Sequence, residues 1–310
     1  MSAPIRITVA IPTYNRANFL RQILSGLAGQ DYAPAGFEVL VVDNNSTDET
    51  RAVVEEFAGA ATAPRYIQEP TQGLNHARNR AIAEARGEIV VFADDDILVP
   101  TDWLTNLTGP IESDALRRIG AVGGEVIPVF PDGVPGWVSH WHRPLKYREE
   151  AGPISKQPMG ANLAFPKWVF ERLGLFEPTL DRCAKYLFDG GDGDMIRRVR
   201  AAGLEVWFAP AARVEHQIPA SRTSLRYNAR HAFDSARSRV IARVREGGAA
   251  AFLLTRFVAN VTKAIGCGAL ALAWGLVLQS GKAKQALVRG CRAVGYVYQS
   301  MRSLLGLRPF

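Results

Sequence analysis

The chain has 310 residues, 47% of them hydrophobic and 22% charged, with a net charge of +7. That composition excludes a disordered chain and a short-period repeat; the three cysteines, Cys183, Cys267 and Cys291, are scattered and odd in number, which excludes a disulfide framework. The charge is unevenly spread: residues 1–218 hold 22 Lys+Arg and 28 Asp+Glu, residues 219–310 hold 15 and 2, and no acid follows Glu246. An acidic part that can hold cations and a basic part that seeks an anionic surface are expected. The cysteines show no metal-ligand or redox spacing, and the N-terminal apolar run is too short for a signal peptide, so the expected compartment is the cytosol.

In chain order, "IRITVAI" (5–11) is β-branched and reads as a strand, and "RANFLRQILSGLAGQ" (16–30) has helical apolar spacing. "FEVLVVD" (37–43) reads as a buried strand. "STDETRAVVEEF" (46–57) reads as a helix opened by a capping box of Ser46 and Glu49. A weaker strand (64–69), a helix closed by Gly87 (73–87) and the strand "EIVVFAD" (88–94) follow. This alternation predicts βαβ units and a mostly parallel sheet. The rhythm then breaks. A strand at 120–130 precedes a Pro-, Gly- and Trp-rich loop at 131–160, a length typical of a lid or substrate wall. A strand at 160–165, helices at 166–174 and 194–203 and a strand at 204–210 close the compact region. From about Ser221 the sequence is helical and basic. Its uninterrupted apolar stretch, Ala264–Leu278, has 15 residues, short of the roughly 20 a membrane span needs, so an interfacial or re-entrant segment is expected. The alternative is a helical hairpin packed on the protein itself.

Three adjacent carboxylates, Asp94, Asp95 and Asp96, follow the fourth strand. In an open parallel sheet, ligands bind at the carboxyl ends of the strands. That rule brings "PTYNR" (12–16), "DNNSTD" (43–48) and "DDD" (94–96) to one edge. Clustered carboxylates there need a cation, and hard oxygen ligands suit Mg²⁺ or Mn²⁺ held jointly with substrate phosphates. The residues alone predict a metal–diphosphate site; the alternative is a solvated turn with Asp96 as a cap.

"VAIPTYNR", "VVDNNSTDET", "GLNHARNRAI", "VVFADDDILVPTDWL", "GANLAF" and "GGDGDMIRRVRAAG" stand in an order that resembles family 2 glycosyltransferases of the GT-A fold, over residues 5–216. The resemblance implies an α/β fold with a Rossmann-like, mostly parallel sheet flanked by helices. It also implies inverting sugar transfer from a nucleotide-sugar donor, assisted by a divalent metal. By position, Thr13, Tyr14 and Arg16 would frame the nucleotide, and Asp43 would accept a hydrogen bond from its base, with Asn45 and Ser46 beside it. Arg78 would lie near base and phosphates. Asp96 would ligate the metal directly, and Asp94 would face the ribose or the metal-bound water. Asp95 would stand behind them or be exposed. His216 would add a metal or phosphate contact, unless it is a buried structural histidine. Asn162 would pass the donor sugar.

In "GGDGDM" Gly191 stands where the family often has Glu, and Asp192 keeps the second acid. Asp192 is therefore the expected general base, ahead of Asp194 and Asp189; the alternative is a helix cap. Trp137, His140, Trp141 and His142 would form an acceptor wall or a hydrophobic loop anchor. The division implied is a catalytic domain, 1–218, with a donor half to about 115, and a basic helical region, 219–310. The partners expected are a nucleotide sugar, a glycan or glycolipid acceptor and an anionic membrane, not nucleic acid, because the cations are confined to a tail rich in apolar runs. A sugar nucleotidyltransferase and a non-catalytic membrane scaffold are the competing readings. The first is disfavoured because "PTYNR" has no glycine and one cation, the second because it leaves the acidic motifs unexplained.

Overall fold

The computed structural model describes residues 4–138, 144–183, 185–247 and 250–307. Internal packing divides the chain into two compact units, one of residues 1–129, 143–178 and 192–217, the other of residues 130–142, 179–191 and 218–310.

The first unit is built on a mixed sheet. β1 (Ile7–Thr13), β2 (Phe37–Asp43) and β4 (Ile89–Ala93) are buried along their whole length. Such strands need apolar side chains on both faces, which is why they read as continuous runs. β3 is Arg65–Gln68. The helices α1 (Ala17–Ala28), α2 (Thr50–Glu56) and α3 (Leu74–Glu84) alternate with them. β5 (Ile97–Leu98), α4 (Trp103–Glu112), β6 (Ile119–Val129), β7 (Gly152–Pro153), β8 (Asn162–Pro166), α5 (Lys167–Leu173), α6 (Gly191–Ala201) and β9 (Glu205–Gln217) complete it. The strand order is β3-β2-β1-β4-β8-β6-β9-β5, with β7 beside β9. The β3-β2-β1-β4 half is parallel. Beyond it, β8 is antiparallel to β4 and β6, β9 is parallel to β6, and β5 is antiparallel to β9.

Alternate residues of β1 go to opposite layers. Ile7, Val9 and Ile11 pack with Leu20, Ile23 and Leu27 of α1 and Trp103 and Leu107 of α4. Ala10 packs on the other face with Ala77 and Ala81 of α3, Phe170 of α5 and Ile196 and Val199 of α6. Phe92, Phe165, Phe170 and Phe176 meet there with ring centroids 5.2–6.2 Å apart.

Three local expectations are corrected. The capping box at Ser46 and Glu49 does not form: Ser46 Oγ accepts from the Asn15 amide, and Asp48 takes the Thr50 amide at 3.1 Å and the Ala17 amide at 3.0 Å. One aspartate thus serves the first turns of both α1 and α2. β9 runs to Gln217 rather than ending at residue 210. α6 starts at Gly191 rather than at Asp194, with two glycines in its first turn.

The second unit is helical: α7 (Ala220–Thr223), α8 (Leu225–Arg245), α9 (Ala250–Leu276) and α10 (Ser280–Leu304). Ser224 caps α8, accepting from the Tyr227 amide at 3.2 Å. α10 packs on both α8 and α9. Gly295 is what lets α10 approach α8, since a Cβ there would overlap the carbonyl oxygen of Phe233. α9 is continuous through Gly266, Gly268 and Gly275, so it is not the broken helix of a re-entrant segment. Among the described residues it is the one helix long and apolar enough to cross a membrane by length and composition. Trp137 belongs to this unit and is anchored to α10: its carbonyl accepts from Gln285 Nε2 at 2.8 Å. His140, Trp141 and His142, named above as an acceptor wall, lie outside the described residues.

Candidate active site

The parallel register sets Thr13 opposite Asp43, at the carboxyl ends of β1 and β2. The loops beyond are stitched together. Asn15 and Asn45 both adopt positive φ, 53° and 73°, which asparagine tolerates better than most side chains. Asn15 Oδ1 accepts from the Thr47 amide at 2.7 Å. Asn44 is buried and ties the β2 loop to the segment before α3. Its amide donates to the carbonyls of Glu69 and Thr71 at 3.0 and 2.7 Å, and its Oδ1 accepts from the Gly73 amide at 2.7 Å. Sequence reasoning passed over Asn15 and Asn44; the signal was an asparagine at each strand end, where a side-chain amide can bridge loops.

Asp43 is buried. Its carboxylate accepts from the Ser46 amide at 2.8 Å and from the Tyr66 hydroxyl at 2.7 Å. Burial and then the bond to Asp43 push the Tyr66 hydroxyl up to about 12, so it stays a donor at neutral pH. Tyr14 and Asn45 are exposed on the same loops.

The carboxylate triplet is resolved residue by residue. Asp95, expected to stand behind the others or be exposed, is buried and accepts from Thr13 Oγ1 at 2.8 Å and from Arg16 at 3.0 Å. Burial above all raises its pKa, to about 6; Arg16 pulls it back, and Asp96 adds to the rise. Arg16 also pairs with Asp96 Oδ2. Burial disfavours the guanidinium charge, but the two aspartates outweigh it and its pKa rises.

β9 brings the fourth group. The antiparallel pairing of Ile97 with His216 sets the histidine beside the triplet, and the Gln217 amide donates to the Asp96 carbonyl at 2.9 Å. His216 Nε2 then stands 3.0 Å from Asp96 Oδ1. That buried nitrogen makes no hydrogen bond among the described residues. One ligand atom each from Asp94, Asp96 and His216 lies within 4.8 Å of the others. Adjacent ligands of an octahedral ion at ~2.1 Å stand about 3 Å apart. Two carboxylates and an imidazole so placed could hold a divalent cation.

Asp192 sits in the first turn of α6, paired with Arg78 at 2.8 Å. Arg78 is itself buried, 3.2 Å from Asn75 Oδ1, with its guanidinium over the rings of Phe92 and Phe176. Gly160 passes so close to Asp192 that a Cβ there would overlap the carboxylate. The glycine of "GANLAF" is thus a site residue that sequence reasoning used only as part of a motif. Asp194 is taken up by Arg197 and Arg198 on the helix. Asp189 belongs to the second unit, bonded by Ser238 at 3.1 Å and 3.7 Å from His231.

Asn162 is not brought to the pocket. It is fully buried, its Oδ1 accepting from the Trp103 indole at 2.9 Å and its amide donating to the carbonyls of Glu125 and Ala212 at 3.1 and 2.7 Å. It braces the sheet next to β4, where Ala93 is its register partner.

The profile of Glycosyl transferase family 2 matches residues 8–168, from β1 through β8, more than half of the chain. The chain belongs to that family. Glycosyltransferase AglE of Haloferax volcanii is 30% identical over 206 residues, 66% of this chain and 64% of its own length. Succinoglycan biosynthesis protein ExoM of Rhizobium meliloti is 28% identical over 236 residues, 74% and 73% of the two chains. The chain spans 64% of AglE and 24% of poly(ribitol-phosphate) beta-N-acetylglucosaminyltransferase TarS of Staphylococcus aureus, less than two thirds of either. Among solved structures, the mannosyltransferase PcManGT of Pyrobaculum calidifontis, in complex with GDP-Man and Mn²⁺, superposes with a TM-score of 0.62 at 22% identity, covering 99% and 90% of the chains. S. aureus TarS 1-349 with UDP-GlcNAc gives 0.57 at 17%, covering 98% and 93%. These neighbours show the GT-A fold. Membership of a glycosyltransferase family weighs against the nucleotidyltransferase and scaffold readings.

Proposed function

We propose that this family 2 glycosyltransferase moves a sugar from a nucleoside-diphosphate sugar to a hydroxyl of a glycan or lipid-linked acceptor, with inversion at the anomeric carbon. Residues 1–218 form the catalytic domain in this reading. The observation that carries it is the Asp94–Asp96–His216 cluster at the carboxyl end of β4, in the same unit as Asp43 and Asp192. Asp43, on the β2 loop with Asn45, receives the base; Thr13, Tyr14 and Arg16 flank the nucleotide. A divalent ion at the cluster, Mn²⁺ or Mg²⁺, would supply positive charge to the departing diphosphate. Asp192 takes the acceptor hydroxyl's proton as that oxygen attacks the anomeric carbon and the bond to the diphosphate oxygen breaks. Arg78 orients Asp192 through their ion pair, and Asn162 holds the sheet that carries the cluster. Two relatives support the acceptor class by name: ExoM in succinoglycan biosynthesis, and a Campylobacter jejuni beta-1,3-glucosyltransferase acting on GalNAc(5)-diNAcBac-PP-undecaprenol, 33% identical over 93 residues.

The region 219–310 is proposed to bind an anionic membrane, on the cytoplasmic face, which would bring the enzyme to a lipid-linked acceptor. The test of the activity is a panel of nucleotide sugars incubated with Mn²⁺. Release of nucleoside diphosphate that stops on chelation is expected. Release of pyrophosphate, or release indifferent to the metal, would overturn the assignment.

A further inference from the structure

This inference rests on the membrane reading and concerns how the contact is made. α9 carries an uncovered stripe, Leu254, Val258, Ile265, Leu272 and Leu276, each more than half exposed, with Leu270 alone among α9's large apolar side chains exposed to that degree on the other side. At 3.6 residues per turn the stripe falls within an arc of about 40°. Arg256 and Lys263 fall on the far side of the helix. A third face is used internally, where Leu253 and Asn260 are buried and Gly290 of α10 lies against Cys267. α10 repeats the design, with Leu287, Val294 and Met301 exposed within an arc of about 40°.

Charge decides what covers these stripes. Residues 247–310 contain eight Arg or Lys and no acid. A second copy of the chain would set its own cations against them with nothing to neutralise either set. An anionic bilayer offers hydrocarbon to the stripes and negative headgroups to the cations.

The pairing of the helices then decides the depth. Lys282 Nζ lies 4.4 Å from the Trp274 ring, Gly290 faces Cys267, and the Arg256 guanidinium lies 5.7 Å from the Tyr296 ring. α10 therefore returns along α9, and it brings Lys282, Lys284, Arg289 and Arg292 beside the Lys263–Trp274 stretch. That stretch is the one a span would sink in hydrocarbon. Cations are strongly disfavoured at the bilayer centre and favoured at an anionic surface. We propose that α9 and α10 form a monotopic anchor that lies along one leaflet of an anionic bilayer, apolar stripes down, without crossing it.

The test uses the full chain with Cys183, Cys267 and Cys291 replaced by Ser and a fluorophore on single cysteines placed at Val258, Ile265, Leu272 or Lys263. Vesicles are phosphatidylcholine with or without phosphatidylglycerol. Binding only to the anionic vesicles is expected, with similar quenching of the first three positions by shallow spin-labelled lipid and little at Lys263. Ile265→Glu with Leu272→Glu should weaken binding at least tenfold with the helix content unchanged. Failure to bind anionic vesicles at all would overturn the membrane reading and the anchor with it. Binding in which a Leu278→Cys thiol reacts with an impermeant reagent sealed inside the vesicles would overturn the flat anchor alone. A dimer in solution that the double Glu variant dissolves would assign the stripes to a second copy instead.

Discussion

The two units handle buried charge in opposite ways. In the sheet unit, carboxylates gather at the strand ends, and each is met by a directed partner: Ser46 and Tyr66 for Asp43, Thr13 and Arg16 for Asp95, Arg16 for Asp96, Arg78 for Asp192. In the helical unit the central buried charge is a guanidinium, Arg237, surrounded by the rings of Tyr186, Phe188, Phe233 and Tyr298 at 4.9–5.6 Å. The first arrangement leaves ligand atoms pointing at a shared space, which serves chemistry. The second encloses its charge in aromatic faces, which serves packing. Substitutions should therefore cost function in one unit and stability in the other.

The largest effect is expected at Asp96. Asp96→Ala removes a carboxylate of the proposed metal cluster and one partner of Arg16, and turnover should fall below detection with Mn²⁺-dependent donor binding lost by calorimetry. Vesicle binding should stay at the wild-type level. An unchanged Mn²⁺ titration would show that the strand-end carboxylates are structural after all. Asp192→Asn should follow, with kcat lowered at least ~100-fold, the usual scale of a lost general base, and donor affinity kept. Gly160→Ala should show the same split more mildly, because the new methyl displaces the carboxylate without removing it. Loss of donor affinity in either variant would move Asp192 from the base role to donor binding.

How much of this contrast was legible beforehand depended on the type of signal. The parallel half of the sheet showed itself because strands buried on both faces must be unbroken apolar runs. The end of β9, "ARVEHQ", did not, because Pro210 precedes it and its last inward residues, His216 and Gln217, are polar, yet that end carries His216 to Asp96. α4 was missed: Gly109 and Pro110 stand inside it, and Trp103, Leu104 and Leu107 are the apolar face that packing, not propensity, holds in place. The antiparallel strands β8 and β5 pair with strands distant in sequence, and no local pattern encodes that pairing or its direction. The triplet, Asp43 and Asp192 were legible as motifs; Arg16 and Arg78 were named beside them but not as the ion-pair partners of Asp95, Asp96 and Asp192, and Tyr66 and Gly160 come to the site only through the pairing of distant segments. Asn162 illustrates the reverse: its place in a motif drew attention, and its burial shows a brace. In the helical unit the 15-residue apolar stretch marked only part of α9, because Arg256 and Lys263 interrupt the sequence but occupy a different face from the stripe.

Arg237 tests the other side of the comparison. Arg237→Leu leaves the buried Asp234, 3.2 Å away, without its main charge partner, and should destabilise the helical unit by about 3–5 kcal/mol. Arg237→Lys keeps the charge but not the planar stacking, and should recover only part of that. Hydrogen exchange should quicken in α8 and α10 while β1 and β4 keep their protection. Equal quickening in both units would mean that they unfold as one, and the division of labour drawn above would fail as a statement about stability.

The smallest effect separates the units by pH. His231 is stacked on Tyr227, and burial, then the charge of Arg182, depress its pKa to about 4; Asp189 opposes them, and Arg292 and Arg222 add to the depression. Its ordinary value is about 6.5, so the folded chain holds it neutral where the unfolded chain would protonate it. The folded value lies below the unfolded one, so the stability involved is whole above about pH 6.5 and is lost as the pH falls toward about 4. His231→Gln removes this linkage. Melting temperatures measured from pH 7 down to pH 4.5 should fall less steeply in the variant than in the wild type. Parallel curves would mean that His231 is not the group whose protonation costs stability in that range.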